Sequence, residues 1–232
     1  MESMKTVIIS DIHGCSLEFQ ALLRIAGLNR SEDRLVILGD LFDRGHHSYE
    51  VFRSVRKLKA EMGERFIFVR GNHDQFLLDF VRDRSAMSVW AYNGGVRTAE
   101  SFEAHGMLLS EPAAFIEAAP LYYETEQWIG VHAGLKSEIP SENDPEVLMW
   151  DRSVAHGAYT GKLGIGGHTP MNEPVWFLPD GTHLVLKYDT RLPLPDRGFM
   201  IIDTGCVFGG RLTALIIEGG EFYLKQMRKR DY

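Results

Sequence analysis

The chain has 232 residues, 44% of them hydrophobic and 25% charged, which is typical of an ordinary globular protein. Its formal net charge of −7 argues against broad nucleic-acid binding, because such binding depends on neutralising phosphates with Lys and Arg. The two cysteines, Cys15 and Cys206, cannot build a disulfide framework or a CxxC metal site, and no apolar run is long enough to span a membrane.

No linker or composition shift divides the chain, so we expect residues 1–232 to form one domain. Residues 1–3 lead directly into an apolar strand, without the basic and apolar regions of a signal peptide. These features predict a cytoplasmic protein. A basic cluster near the end of the chain is expected to be a solvated terminus; it consists of Lys225, Arg228, Lys229 and Arg230.

The first third of the chain predicts three strands that alternate with three helices. Each strand is a short apolar run, and each helix has apolar residues three or four positions apart. Ser16 and Ser48 are candidate N-caps of the first two helices, and Gly27 ends the first. This order is typical of parallel strands with right-handed crossovers. The expected strands are 6–10, 35–38 and 66–69, and the helical stripes are 19–26, 51–62 and 76–81.

The rest of the chain changes from helical to strand-rich. Residues 85–119 are mostly helical with a break at Asn93-Gly94-Gly95, and residues 140–145 form a polar loop. Two sheets packed face to face, with helices outside, would bury this much apolar sequence. We therefore expect an α/β (α+β) fold of this kind. The later strands are predicted at 121–124, 128–131, 175–177, 184–186, 199–202, 212–217 and 221–225.

Polar residues follow four of the predicted strands and the apolar segment Gly164-Ile165-Gly166-Gly167, at the positions where open α/β sheets usually bind their ligands. Carboxylates, imidazoles and an amide oxygen suit Mn²⁺, Fe or Zn²⁺ better than an all-oxygen Ca²⁺ site. They are too many for one tetrahedral zinc, and they suit two ions ~3.5–4 Å apart that share a carboxylate. The residues are Asp11, His13, Asp40, Asn72, His73, His132 and His168.

Five sequence blocks, in order, resemble those of the calcineurin-like metallophosphoesterases. Asp43-Arg44-Gly45 is similar to the phosphoprotein phosphatase (serine/threonine protein phosphatase) branch, and the segment 203–212 resembles small bacterial members, which include symmetrical bis(5'-nucleosyl)-tetraphosphatases. The resemblance covers nearly the whole chain and implies an αββα sandwich of two mixed sheets flanked by helices. The blocks are Asp11-Ile12-His13-Gly14, residues 39–45, Gly71-Asn72-His73-Asp74, His132-Ala133-Gly134 and Gly167-His168.

The resemblance also implies a ligand set for two divalent metal ions, with Mn²⁺ expected first and Fe or Zn as alternatives. A metal-bridging hydroxide would attack phosphorus directly, without a phosphoenzyme, and Asp40 would bridge the two ions. The implied ligands are Asp11, His13 and Asp40 for the first ion, and Asp40, Asn72, His132 and His168 for the second.

The remaining catalytic roles also come from the resemblance. His73 would protonate the leaving oxygen, and Asp43 would orient His73 and favour its charged form. Arg44 and Arg152 would hold the phosphoryl oxygens, with Asn72 also beside the substrate. The role of Arg152 is assigned from the short block Trp150-Asp151-Arg152 alone.

The sequence departs from the family pattern at three points. Asp74 stands where many members have Glu, which predicts a longer supporting hydrogen bond. Ala133 replaces a glycine common in the eukaryotic branch, and His46-His47 replaces a frequent proline beside the phosphate site. The change at His46-His47 leaves the substrate preference open.

Other conspicuous residues have ordinary structural explanations. We interpret three histidines as surface or hydrogen-bonding residues, both cysteines as small buried residues, and Trp90, Tyr92 and Asn93 as either cleft or packing residues. The three histidines are His105, His156 and His183, and the cysteines are Cys15 and Cys206.

The expected function is hydrolysis of phosphate esters, first of phosphoserine and phosphothreonine in proteins. The alternative is a symmetrical diadenosine tetraphosphate hydrolase, which cuts a phosphoanhydride. A noncatalytic module held together by metal is a third hypothesis, and a nuclease is disfavoured because no basic and aromatic stripe is present. The expected partner is a phosphorylated protein or a small phosphate-containing substrate, with neither a membrane nor a specific nucleic acid.

Overall fold

The computed structural model describes residues 4–230, so the expectation about a signal peptide at residues 1–3 lies outside the described residues. Over that range the chain forms strands β1–β12 and helices α1–α7. The strands are β1 Thr6–Ile9, β2 Arg34–Leu38, β3 Phe66–Val69, β4 Tyr122–Glu124, β5 Ile129–Val131, β6 Gly164–Gly166, β7 Val175–Phe177, β8 His183–Val185, β9 Leu192–Pro193, β10 Phe199–Ile201, β11 Arg211–Glu218 and β12 Glu221–Arg228. The helices are α1 Ser16–Ile25, α2 Ser48–Met62, α3 Asn72–Arg82, α4 Met87–Tyr92, α5 Gly95–Glu103, α6 Ser110–Glu117 and α7 Pro145–Trp150.

The strands form two six-stranded mixed sheets, as expected. The first has the order β3-β2-β1-β11-β12-β9, in which β1, β2 and β3 are parallel. The second has the order β4-β5-β6-β10-β7-β8, in which β5, β6 and β10 are parallel. Each sheet thus contributes three neighbouring parallel strands whose carboxyl ends lie side by side.

Alternating side chains of the central strands build the layers. In β1, Ile8 faces the second sheet, whereas Val7 and Ile9 face the helices, because successive strand residues point to opposite faces. The layer between the sheets is completed by Leu215 from the first sheet and Met200 from the second. Burial of these side chains fixes the register of the sheets, since a slip of one residue would exchange their faces.

The helices cover the sheets unequally. Side chains of α1, α2, α3, α5 and α6 pack on the outer face of the first sheet. The outer face of the second sheet is covered by Leu148 of α7 together with Val154 and Tyr159 from the following segment. In the range 4–230, no helix is long and apolar enough to cross a membrane.

Several sequence predictions need correction. Ser16 and Ser48 are the first helical residues of α1 and α2 rather than N-caps, and neither helix has a side-chain cap bond. The third helix begins at Asn72, so the Asn72-His73-Asp74 block lies in its first turn. Residues 140–145 contain a short 3₁₀ turn and the start of α7, and the two-residue strand β9 was not predicted.

The basic cluster near the end of the chain is not a free terminus. Lys225 and Arg228 belong to β12, and Lys225 pairs with Asp189. The Nζ of Lys229 lies 3.5 Å from the buried carboxylate of Glu18 in α1, and the backbone N–H of Arg230 donates to the same group at 3.0 Å. The cluster therefore ties the end of β12 to α1.

Candidate metal centre and active site

The two sets of parallel strands deliver their polar residues to one common edge. The backbone N–H of His168, after β6, donates to Asp11, after β1, at 3.0 Å. The imidazole Nδ1 of His132, after β5, lies 2.8 Å from the carbonyl oxygen of Leu38 at the end of β2. These contacts join the two sheets at the point where the predicted site residues emerge.

The backbone at this edge is unusual. Six site residues other than glycine have φ between 43° and 71°, in the left-handed region that L-residues seldom adopt. Such conformations cost free energy and persist only when the surrounding structure enforces them, and they concentrate at functional sites. The six residues are Asp11, His13, Asp40, Asp43, Arg44 and His168.

One group of ligand atoms surrounds the side chain of Asn72. Its Oδ1 lies 2.8 Å from Nε2 of His132 and 3.0 Å from Nδ1 of His168. The same Nε2 of His132 is 3.4 Å from the carboxylate of Asp40. Because Nδ1 of His132 faces the Leu38 carbonyl and must carry its proton there, Nε2 presents a lone pair to two oxygen acceptors.

A second group of ligand atoms surrounds the other side of Asp40. The Nε2 of His13 lies 3.4 Å from the Asp40 carboxylate and 3.9 Å from that of Asp11. The Nδ1 of His13 lies 2.6 Å from the carbonyl oxygen of Phe42. This contact fixes the proton on Nδ1 and leaves Nε2 unprotonated. Asp40 thus lies between the two groups.

The chemistry of this donor set fits divalent cations. Unprotonated imidazole nitrogens, an amide oxygen and carboxylates converge at short range. A bound cation would offset the repulsion among these acceptor atoms. Burial raises the pKa of the Asp11 and Asp40 carboxyls well above the usual range, and repulsion from Asp203 adds to this effect for Asp11 and repulsion from Asp74 for Asp40. A bound cation would compensate that cost. The set includes Asp11, Asp40 and His132, and also His13 and His73 around Asp40.

His73 forms a buried pair with Asp43. Its Nδ1 lies 2.9 Å from the Asp43 carboxylate, which also accepts hydrogen bonds from Thr98 Oγ1 at 2.7 Å and Trp90 Nε1 at 3.0 Å. Burial raises the pKa of Asp43 to about 7, against the opposing effect of Thr98 and Trp90. Burial and the positive charge of Arg44 lower the pKa of His73 to about 2, and the contact with Asp43 orients the imidazole.

The two predicted arginines lie at opposite sides of the cluster. The half-buried Arg44 places Nη1 2.7 Å from Nε2 of His13, and its backbone N–H donates to the carbonyl oxygen of Gly94. The more exposed Arg152 donates to the carbonyl oxygen of His168 at 2.9 Å and to Thr169 at 3.1 Å. Both guanidinium groups therefore reach the loops that carry the candidate ligands.

Asp74 supports the loop that carries Asp40. Its carboxylate accepts hydrogen bonds from the backbone N–H groups of Asp40, Leu41 and Gly71 at 2.8, 3.1 and 2.9 Å. These lengths are ordinary, so the short Asp side chain reaches all three donors. The sequence predicted a longer bond here, and the structure shows none at these three positions.

Sequence reasoning gave no site role to Thr98 or Asp203, and it left Trp90 open between a cleft and a packing residue. Trp90 is fully buried and, together with Thr98, holds the Asp43 carboxylate, whereas Tyr92 is 92% exposed. Asp203 follows β10, lies buried beside Asp11 and raises the pKa of that carboxyl. Its place after a predicted strand was the available signal. The structure brings together all of the predicted residues, with Arg152 at the rim.

A family model described as calcineurin-like phosphoesterase matches residues 4–189. The chain is 31% identical over 228 residues to bis(5'-nucleosyl)-tetraphosphatase PrpE [asymmetrical] of Bacillus thuringiensis (strain Al Hakam), covering 91% of this chain and 90% of the relative. The curated name thus specifies asymmetrical cleavage, whereas the sequence alternative was a symmetrical enzyme.

Two solved structures show the same fold. A metallophosphoesterase from Sphaerobacter thermophilus superposes with a TM-score of 0.69 at 22% identity, covering 98% of this chain and 90% of that one. A protein serine/threonine phosphatase from Saccharomyces cerevisiae, with similarity to human phosphatase PP5, superposes with a TM-score of 0.69 at 15% identity, covering 100% and 82%. At these identities the likeness concerns the fold.

Proposed function

The chain belongs to the calcineurin-like phosphoesterases, a family of metal-dependent hydrolases of phosphate esters, and we propose that it cleaves dinucleoside tetraphosphates. The substrate follows from the relative that shares 31% of its residues over 91% of this chain and carries the tetraphosphatase name. This proposal ranks the tetraphosphatase alternative above the first expectation, a serine/threonine protein phosphatase.

The observation that carries the hydrolase proposal is the position of Asp40 between two groups of lone-pair donors. Asp40 would contribute to both metal positions, which keeps two cations close together. Two divalent ions in these positions would neutralise phosphoryl charge and lower the pKa of a nearby water. Asp11 and His13 would complete one position, and the other would consist of Asn72, His132 and His168.

The other polar residues would handle the phosphate and a proton. Arg44 and Arg152 would grip phosphoryl oxygens from two sides, since a guanidinium fork matches that geometry. A charged His73 would deliver the proton that the leaving oxygen requires from Nε2, while Asp43 holds the ring through Nδ1. The negative charge of a bound phosphate would raise the pKa of His73 and so favour this charged form. Trp90 and Thr98 keep Asp43 in place for this task.

A second candidate function is hydrolysis of phosphoserine and phosphothreonine in proteins. The buried His73–Asp43 pair favours it, because an alkoxide leaving group needs a proton far more than a nucleotide does. A noncatalytic module is the least supported hypothesis. Metal ions that only stabilise the fold would not need a positioned acid–base pair such as His73–Asp43.

The test is a comparison of two substrates with metal-stripped protein restored with Mn²⁺. We expect faster cleavage of diadenosine tetraphosphate than of a phosphothreonine peptide, and loss of both activities by several orders of magnitude in Asp40→Asn. Chromatography of the products separates the two modes: ATP with AMP means asymmetrical cleavage, and ADP alone means symmetrical cleavage. Faster cleavage of the peptide would favour the second candidate, and activity retained in Asp40→Asn would contradict the metal proposal.

A further inference from the structure

An exposed aromatic ring lies directly beside the predicted phosphate-binding arginine. The guanidinium carbon of Arg44 lies over the ring of Phe208, 5.2 Å from its centroid. On its other side the same guanidinium reaches Nε2 of His13 in the candidate metal cluster. Phe208 is nevertheless 65% exposed, so most of its ring is available to a ligand. An apolar ring of this size at the entrance of a polar site is unexplained by packing.

The turn that carries Phe208 is firmly built. Residues Cys206–Phe208 form a 3₁₀ turn between Gly205 and Gly209, both with left-handed backbone. The carbonyl oxygen of Gly205 accepts from the N–H groups of Phe208 and Gly210, each at 3.0 Å. The Asp203 carboxylate accepts from the N–H of Gly205 at 2.9 Å. The turn therefore connects the ring rigidly to a buried carboxylate of the site.

We propose that Phe208 is the platform on which one nucleobase of a dinucleoside polyphosphate stacks, with Arg44 holding the adjacent phosphate. This inference rests on the proposed function and specifies how the site recognises its substrate. Bases stack on aromatic side chains with little sequence preference, and an arginine on the opposite face of the ring strengthens the platform. The expected ligand is thus any dinucleoside tetraphosphate, whatever its bases.

Phe208 is better suited to this role than Trp150, another exposed aromatic residue of the rim. Trp150 is only 37% exposed, and its ring already packs edge-on against Phe76 at 5.3 Å and His168 at 6.0 Å. Phe208 has no aromatic neighbour among residues 4–230. A base can therefore cover its open face without displacing another ring.

The position of the ring also bears on which bond is cut. Arg44 touches both the metal cluster and Phe208, so the base on Phe208 belongs to a nucleoside whose own phosphate is at the reaction centre. Only a ribose separates that phosphate from its base. Attack there releases a nucleoside monophosphate and a nucleoside triphosphate, which is asymmetrical cleavage. The bond that breaks is the anhydride next to the nucleoside phosphate, and water supplies the new oxygen and the two protons.

The test compares KM and kcat for diadenosine tetraphosphate in Phe208→Ala, Phe208→Leu, Phe208→Trp and wild type. We expect KM to rise roughly tenfold or more in the Ala variant, also to rise in the Leu variant, and to stay near wild type in the Trp variant. Inorganic tetraphosphate, a competitor without bases, should inhibit all four proteins equally. Tyr188→Ala is the matched control, because Tyr188 is an aromatic residue with similar exposure of 63%.

The outcomes separate this inference from the proposed function. If wild type cleaves diadenosine tetraphosphate but the KM of Phe208→Ala is unchanged, or if Trp150→Ala alone raises KM, the platform is wrong and the tetraphosphatase proposal stands. If wild type cleaves only the phosphothreonine peptide, both fail. A fall in tetraphosphate inhibition parallel to the rise in KM would also overturn the stacking role, because it would indicate a disturbed phosphate site.

Discussion

At the scale of single residues, the site depends on which ring nitrogen of each histidine carries the proton. His13 and His132 both direct Nδ1 to a backbone carbonyl oxygen, of Phe42 and Leu38, so that the Nε2 lone pair points into the cluster, where that of His13 accepts from Arg44 in the absence of a cation. The sequence supplies the histidines at the correct strand ends. Their tautomers follow from carbonyl groups that come into range only when the strands are assembled.

From the His73–Asp43 pair we predict that the effect of removing His73 depends on the leaving group of the substrate. His73→Asn removes the proton donor, so hydrolysis of a phosphothreonine peptide should fall about 100-fold or more. Hydrolysis of diadenosine tetraphosphate should fall much less, because a nucleotide leaves readily without a proton. Steady-state rates with both substrates test this prediction.

The matched control for that experiment is His105→Asn. His105 lies just after α5, where its Nδ1 bonds to the carbonyl oxygen of Ser101 and its ring stacks on Tyr49. This substitution should leave both rates unchanged. An equal loss of the two activities in His73→Asn would show that His73 acts on the metal site or the fold rather than on the leaving group.

At the scale of helices and strands, close backbone approaches hold the site together. Gly71 joins β3 to α3, and a Cβ at this position would collide with the Asp40 carboxylate and lie 2.6 Å from the Asp40 backbone nitrogen. A glycine is required here because the two loops touch. The Asp40 side chain accepts from the backbone N–H of His73 at 2.9 Å, so the same contact positions both residues.

We therefore expect Gly71→Ala to lower kcat on either substrate by roughly 100-fold, because a displaced Asp40 would misalign the reacting groups. Gly106→Ala is the control, since a Cβ there meets no atom within 4 Å and only its left-handed backbone, at φ 65°, costs about 1 kcal/mol. Steady-state rates measure the loss of activity in each variant, and thermal melts followed by circular dichroism measure the loss of stability. Normal activity in Gly71→Ala would mean that the loop contact is dispensable.

The sequence predicted the elements well where the local pattern determines the structure. The strand Phe66–Val69 and the buried stripe of α2 agree with the apolar pattern because both are buried by near neighbours. The start of α3 at Asn72 was missed, since Gly71 and Asn72 favour a loop and the Asp40 contact overrides that preference. The sequence likewise could not decide the role of Trp90, because its hydrogen-bond partner Asp43 is distant in sequence.

At the scale of the whole molecule, the candidate metal centre belongs to neither sheet alone. The first sheet supplies Asp11, His13 and Asp40, and the first turn of α3 adds Asn72. The second sheet supplies His132 and His168. Contacts such as that of His132 with Leu38 show that the candidate ligand residues come together only when the sheets are packed against each other. The sequence predicted which residues would be candidate ligands, but the pairing of the sheets required the structure.

The central claim is that this edge holds two divalent ions joined by Asp40. The most direct measurement is the Mn²⁺ content of purified protein, stripped and reloaded, by mass spectrometry and calorimetric titration. We predict two tightly bound ions per wild-type chain, and loss of at least one in Asp40→Asn with an unchanged circular dichroism spectrum. One ion in wild type, or two ions retained in Asp40→Asn, would contradict the account.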